Sequence, residues 1–175
     1  MKRNTVLFTI AIAGLVVCSA WAKKNSANRL AGSADGAFMT KAAQGGMAEV
    51  ELGNLAVERA SSPKVKEFGQ RMVTDHTKAN DDLKALSSKK GMTPPSGLDG
   101  ASQATKDKLS RLNGADFDHA YMQDMVKDHQ KDIAEFQKEA DHGSDPDVKA
   151  FASKTLPTLQ DHLRMAQDTL AAVKK

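Results

Sequence analysis

Ser62-Pro63-Lys64-Val65-Lys66-Glu67-Phe68 and Asp145-Pro146-Asp147-Val148-Lys149-Ala150-Phe151 are two copies of one device. In each, a residue suited to cap a helix precedes a proline, which fits the first helical position because the N–H it lacks has no partner there. Valine and phenylalanine follow three residues apart, and Asp75-His76 or Asp161-His162 stands downstream. Each proline therefore marks the turn of an antiparallel helix hairpin. Working outward, the repeat predicts helices over about 35–61 and 62–91 around the first turn, and 115–142 and 145–173 around the second. Gly91-Met92-Thr93-Pro94-Pro95-Ser96-Gly97 interrupts the chain between them, followed by a short helix near 102–112 and an Asn113-Gly114 turn.

The long segments each carry one apolar stripe. Val65, Phe68, Met72, Ala79, Leu83 and Leu86 recur at steps of three, four and their sum, as do Val148, Phe151 with Ala152, Thr155, Leu159, Ala166, Leu170 and Val173. That spacing is the signature of bundle packing, and no segment shows sustained strand alternation. The fold class expected is all-α, a four-helix bundle.

The N-terminus sets the expected compartment. Lys2 and Arg3 precede an apolar run from Val6 to Val17, and Ala20-Trp21-Ala22 offers a small-x-small exit. Residues 1–22 read as a secretory signal peptide, 23–34 as a flexible polar leader and 35–175 as the bundle domain. The apolar run is too short for a membrane span, so the mature form is expected to have no integral membrane segment and to be periplasmic or secreted. Cys18 opens a lipoprotein alternative. Cleavage after Ala22 removes the only cysteine and the only tryptophan, leaving no disulfide and no thiolate. It also takes the formal charge from +3 (25 − 22) to +1 (23 − 22), which gives no electrostatic footprint for nucleic acid.

The apolar stripes are interrupted in a regular way. His76, His129 and His162 each fall on the core line of their helix, and Glu49 falls on the line Phe38, Ala42, Gly45, Leu52, Ala56 of the first helix. Residues equidistant from a hairpin turn stand at one height. Glu49 lies 14 residues before Pro63 and His76 lies 13 after it, while His129 lies 17 before Pro146 and His162 lies 16 after it. Those offsets are roughly 20 Å and 25 Å along helices roughly 40 Å long, so all four residues are expected in one central layer.

Imidazole nitrogen and carboxylate oxygen are ordinary ligands for transition metals. The layer is therefore read as a site for one ion held by Glu49, His76, His129 and His162, with zinc, copper and iron all open. Glu51 is the substitute carboxylate if the first helix is rotated. Met72 and Met125 each precede a histidine by four and would favour copper(I) as ligands, or simply fill core gaps. The competing reading is a structural or partner-binding bundle, its protein partner unknown, whose histidines and glutamate form a hydrogen-bonded polar layer without metal. No Ser-His-Asp set, phosphate loop or paired-carboxylate motif appears, so binding is favoured over catalysis.

Ala43-Gln44-Gly45-Gly46-Met47-Ala48-Glu49-Val50-Glu51-Leu52-Gly53, Arg71-Met72-Val73-Thr74-Asp75-His76, Phe117-Asp118-His119-Ala120-Tyr121-Met122 and Leu156-Pro157-Thr158-Leu159-Gln160-Asp161-His162 together resemble a family of exported bacterial proteins catalogued as domain of unknown function 4142. The resemblance spans about residues 35–173. It implies a ferritin-like four-helix bundle whose long crossover follows helix two, and residues 91–114 suit that crossover. Ferritin-like di-iron enzymes carry Glu-x-x-His on two helices, whereas Val73 and Leu159 occupy those glutamate positions here. That departure favours a mononuclear or purely binding site, and the metal-binding reading is of an exported protein in storage, buffering or stress protection.

Overall fold

The computed structural model of the chain describes residues 30–173. The signal-peptide reading of 1–22, with Cys18, and the leader up to residue 29 lie outside the described residues. The element order is α1 (Ala34–Arg59), α2 (Pro63–Lys90), α3 (Gly100–Leu109), α4 (Gly114–His142) and α5 (Pro146–Ala172). All are helical, as the stripes require, and Pro63 and Pro146 open α2 and α5 as expected. The short helix begins and ends two to three residues earlier than predicted, because Asp99 caps it by accepting from the Ser102 N–H. Gly91 ends α2 at φ 70°, a left-handed conformation that glycine adopts without the steric cost of a Cβ. α5 runs through Pro157 as one helix.

Two aspartates hold the hairpins together at opposite ends. Asp118, at the start of α4, accepts the Ser61 and Ser62 N–H groups at 3.0 and 2.8 Å and the Ser61 hydroxyl. Asp35, at the start of α1, accepts the Ser144 and Asp145 N–H groups at 3.0 and 2.9 Å. Ser62 itself makes no side-chain cap; the Asp118 carboxylate instead fixes the turn through the Ser61 and Ser62 N–H groups. The two clasps are copies: 118 − 35, 144 − 61 and 146 − 63 all equal 83. They also fix direction, since each helix start meets the other hairpin's turn. α1 and α4 are antiparallel, the turns lie at opposite ends, and residues 91–113 cross the length of the bundle.

α1 packs on α2 and α4 on α5, and contacts of α2 with α5 and of α1 with α4 close the ring. α3 lies against α1 and α4. The closest backbone approach is between α1 and α2, where a Cβ on Gly69 would stand 2.8 Å from the Gly53 oxygen. Farther along α1, Gly45 faces the Asp132 carboxylate and Gly46 makes room for Asn80 of α2.

The core is divided. One apolar cluster gathers Leu52, Phe68, Met72, Tyr121, Met125 and Ala166 toward one end, and another gathers Phe38, Leu83, Phe136, Phe151 and Leu159 toward the other. On every long helix a polar residue stands between the two: Glu49, His76, His129 and His162, all buried. Burying unpaired polar groups in such a place is costly, so their partners decide what the layer is.

Candidate metal centre

His76, His129 and His162 come from α2, α4 and α5, and each offers one ring nitrogen within 4.8 Å of the others. Their ring centroids are 5.3 to 5.9 Å apart. Three nitrogens bound to one ion at about 2.0–2.1 Å would stand roughly 3–4 Å apart, so little closure is needed.

Hydrogen-bond partners set the tautomers. His129 Nδ1 lies 2.9 Å from the Met125 carbonyl oxygen, which can only accept, so Nδ1 donates. His162 Nε2 lies 2.9 Å from Asp75 Oδ2, a carboxylate, so Nε2 donates there. In the neutral rings the remaining nitrogens, His129 Nε2 and His162 Nδ1, are both lone-pair acceptors, yet they face each other at 3.4 Å. His76 Nε2 is buried beside them with no hydrogen-bond partner among the described residues. Burial, reinforced by the neighbouring imidazoles, drives His76 down to about 3 and His129 to about 4, and burial also lowers His162. Near neutral pH the trio is thus three uncharged imidazoles whose free lone pairs converge.

Asp75 stands behind His162 and is held in turn by Arg71. Hydrogen bonds from Arg71 and His162 outweigh the cost of burial and keep its carboxyl below the usual range. A carboxylate behind an imidazole fixes its tautomer and raises its basicity toward a metal. Asp75, next to His76 in sequence, thus supports His162 across the α2–α5 interface.

Glu49 reaches the predicted height but the other side of His129. Its Oε1 lies 3.8 Å from His129 Nδ1, the nitrogen turned away from the trio, and neither of its oxygens has a hydrogen-bond partner among the described residues. Burial pushes its carboxyl well above the usual range, with Asp128, Asp132 and Asp124 adding to the shift. Asp132 is pushed up to about 7 by burial and by Asp128. These three aspartates recur every four residues along α4, where Asp128 and Asp132 line a recess against α1, and Asp132 was not singled out in the sequence. The offset of 83 could have shown it, because it pairs Glu49 with Asp132 (132 − 49). The buried Tyr121 hydroxyl also lacks a partner among the described residues, and burial and the Glu49 field raise its pKa.

The substitute residues are placed differently. Glu51 is exposed and pairs with Lys106 of α3 at 2.7 Å, away from the layer. Met72 and Met125 are fully buried in the apolar cluster, and Met125 serves His129 through its backbone carbonyl. His119 is half-buried and His142 exposed.

The chain belongs to the family described as Domain of unknown function (DUF4142), whose model matches residues 20–169. No curated protein matches it in sequence. Its fold is similar to that of a DUF305 fragment from Deinococcus radiodurans, with a TM-score of 0.70 and 17% identity over 79% of this chain and 95% of that one. A DUF305 protein from Streptomyces coelicolor, described as a candidate secreted protein, gives 0.70 and 16% over 82% and 94%. A conserved hypothetical protein from Mycobacterium tuberculosis gives 0.62 and 20% over 81% and 93%. At these identities the likeness speaks for the all-α bundle alone. No helix among the described residues is long and apolar enough to cross a membrane.

Proposed function

We propose that this family member is an exported protein that binds one transition-metal ion at mid-bundle through His76, His129 and His162, in metal buffering or stress protection. The observation that carries the reading is the pair of lone pairs facing each other at 3.4 Å between His129 and His162. A polar layer built only for stability would place a proton between those nitrogens. Here both rings direct their N–H outward, to a carbonyl and to a carboxylate, which leaves the space between them suited to an electrophile. Neutral imidazoles also pay no proton-release cost when a cation arrives. Nitrogen donors admit zinc, copper(II), nickel or iron, and the three-histidine set leaves a fourth position open. Glu49 supports the layer from behind His129.

The test is to titrate the chain, purified without a histidine tag and stripped by chelator, with zinc, copper, nickel and iron salts while following its melt. One ion per chain is expected. At a hundredfold excess over Kd the gain is about 2.7 kcal/mol, equivalent to roughly 5–10 °C for a chain of this size. His129→Ala should abolish that gain. A melt that no metal moves, or an equal loss in His129→Ala with and without metal, would return the layer to a purely structural role.

A further inference from the structure

A buried trio needs a way in. Two neighbouring cavities reach toward it, a larger one where α1 meets α4 and a smaller one lined by all four long helices. The outer one, about 150 Å³, is lined by Asp99, Asp128, Asp132 and Glu135 with Lys41 and Lys131, so carboxylates outnumber ammonium groups four to two. The inner one, about 20 Å³, is lined by His76 together with Gly46, Asn80 and Asp132. Asp132, Ala42 and Phe136 line both and form the partition between them. Of these three only Asp132 can coordinate a cation, and the buried His76 Nε2 has no hydrogen-bond partner among the described residues.

Resting on the metal-binding reading, we propose that the α1–α4 seam is the entry path for a divalent transition-metal cation. Asp132 is its transfer ligand, taking the ion from the outer recess and handing it inward to His76. The sizes dictate this role. The outer recess holds several waters and suits a hydrated ion, whereas the inner cavity holds about one water-sized body. An ion passing between them must shed most of its hydration, and an oxygen donor at the partition offsets that loss. The excess of carboxylates outside raises the local cation concentration and the encounter rate. Asp132 is a positioning residue on the route, not a resident ligand of the trio.

That role predicts a kinetic signature distinct from loss of a ligand. Apo full-length chain is mixed with cobalt(II) chloride in a stopped flow, and uptake is followed by the visible absorption of cobalt in a nitrogen site. Asp132→Asn is compared with Asp168→Asn, the same substitution at an exposed α5 residue. Asp132→Asn should lower the association rate about tenfold or more relative to that control. Dissociation should slow by a similar factor, because a gate acts on both directions, leaving Kd within about threefold. Ala42→Leu, which narrows the partition and keeps every carboxylate, should slow both rates as well. Unchanged rates in both variants would overturn the path while leaving the histidine site intact. A loss of affinity at unchanged association rate would also overturn it, by making Asp132 a holding ligand. A parent chain that takes up no cobalt overturns the histidine site and the path together.

Discussion

Asp75→Asn perturbs the metal reading at its most specific point. Asparagine keeps the shape of aspartate and can still accept from His162 Nε2, so the hydrogen bond survives while its charge is lost. A hydrogen bond to a charged acceptor is worth about 1.5–3 kcal/mol against about 0.5–1.5 for a neutral one, a difference of about 1–2 kcal/mol. That difference matters most when His162 bears the positive charge drawn onto it by a bound ion. The expected result is a Kd for zinc or cobalt raised about 5- to 30-fold. The apo fold should barely notice. Asp75 is 20% exposed and its ion pair with Arg71 lies at the helix surface, where such pairs contribute about 0–1 kcal/mol. Affinity is read by competition with a chromophoric chelator, and apo stability by a melt in excess chelator. Arg71→Gln is the control, since it removes the outer cation and leaves the carboxylate on His162; its Kd should stay within about twofold of the parent, the guanidinium being solvent-screened. An Asp75→Asn chain that binds as tightly as the parent would refute the reasoning. So would an Arg71→Gln chain that loses as much affinity, which would locate the effect at the helix surface.

Two further outcomes follow from the scaffold. Burial and the adjacent Asp35 raise Glu139 from 4.5 to about 7; its neutral form is favoured in the folded state, so the stability it confers is complete below about 4.5 and drains away as pH rises through 7. Glu139→Gln holds a neutral side chain at every pH and should exceed the parent by about 1–2 kcal/mol above pH 7, a shift worth about 3 kcal/mol being discounted for the open bundle end, while matching it below 4.5. Urea unfolding across that range checks this, and a pH-independent difference would count against it. Gly69→Ala should destabilise by about 1–3 kcal/mol despite alanine's better helix propensity, because its Cβ would stand 2.8 Å from both Ala56 Cβ and the Gly53 oxygen. Thermal melts read the loss, and Gly100→Ala, where nothing lies within 4 Å, is the neutral comparison.

The parts of this molecule legible in its sequence are those governed by distance along a helix. Rise per residue is fixed, so counting from Pro63 and Pro146 placed His76, His129 and His162 in one layer with Glu49, and the structure has all four buried between the same two apolar clusters. Cap and breaker residues similarly gave α2 and α5 to within a residue at their starts. What counting cannot give is rotation within a wide apolar stripe. Glu49 stands at the right height on the far side of His129, and Glu51 turns outward to Lys106. A rotation of a few tens of degrees separates a ligand from a neighbour, and no spacing rule resolves that.

The remaining gap concerns groups whose role depends on a second helix. Asp75 and Asp132 sit off or beside the core line, where the default reading of an aspartate is a solvated face. Across the α2–α5 interface Asp75 meets His162, and across the α1–α4 seam Asp132 meets the cavity that leads to His76. The repeat carries information here that local pattern does not. An offset of 83 relates Asp35 to Asp118 and Ser61 to Ser144, and those pairs form equivalent clasps. The same offset relates His76 to Leu159 and His162 to Ala79, so neither histidine has a histidine counterpart. Glu139 and Gly143 likewise correspond to Ala56 and Ala60, the glycine giving space to the larger side chain, since a Cβ there would stand 2.5 Å from Glu139 Oε1. Positions that keep the repeat hold the two hairpins together. Positions that break it collect the histidines in the layer and the buried carboxyl of Glu139, and those breaks are where the chemistry of this bundle is concentrated.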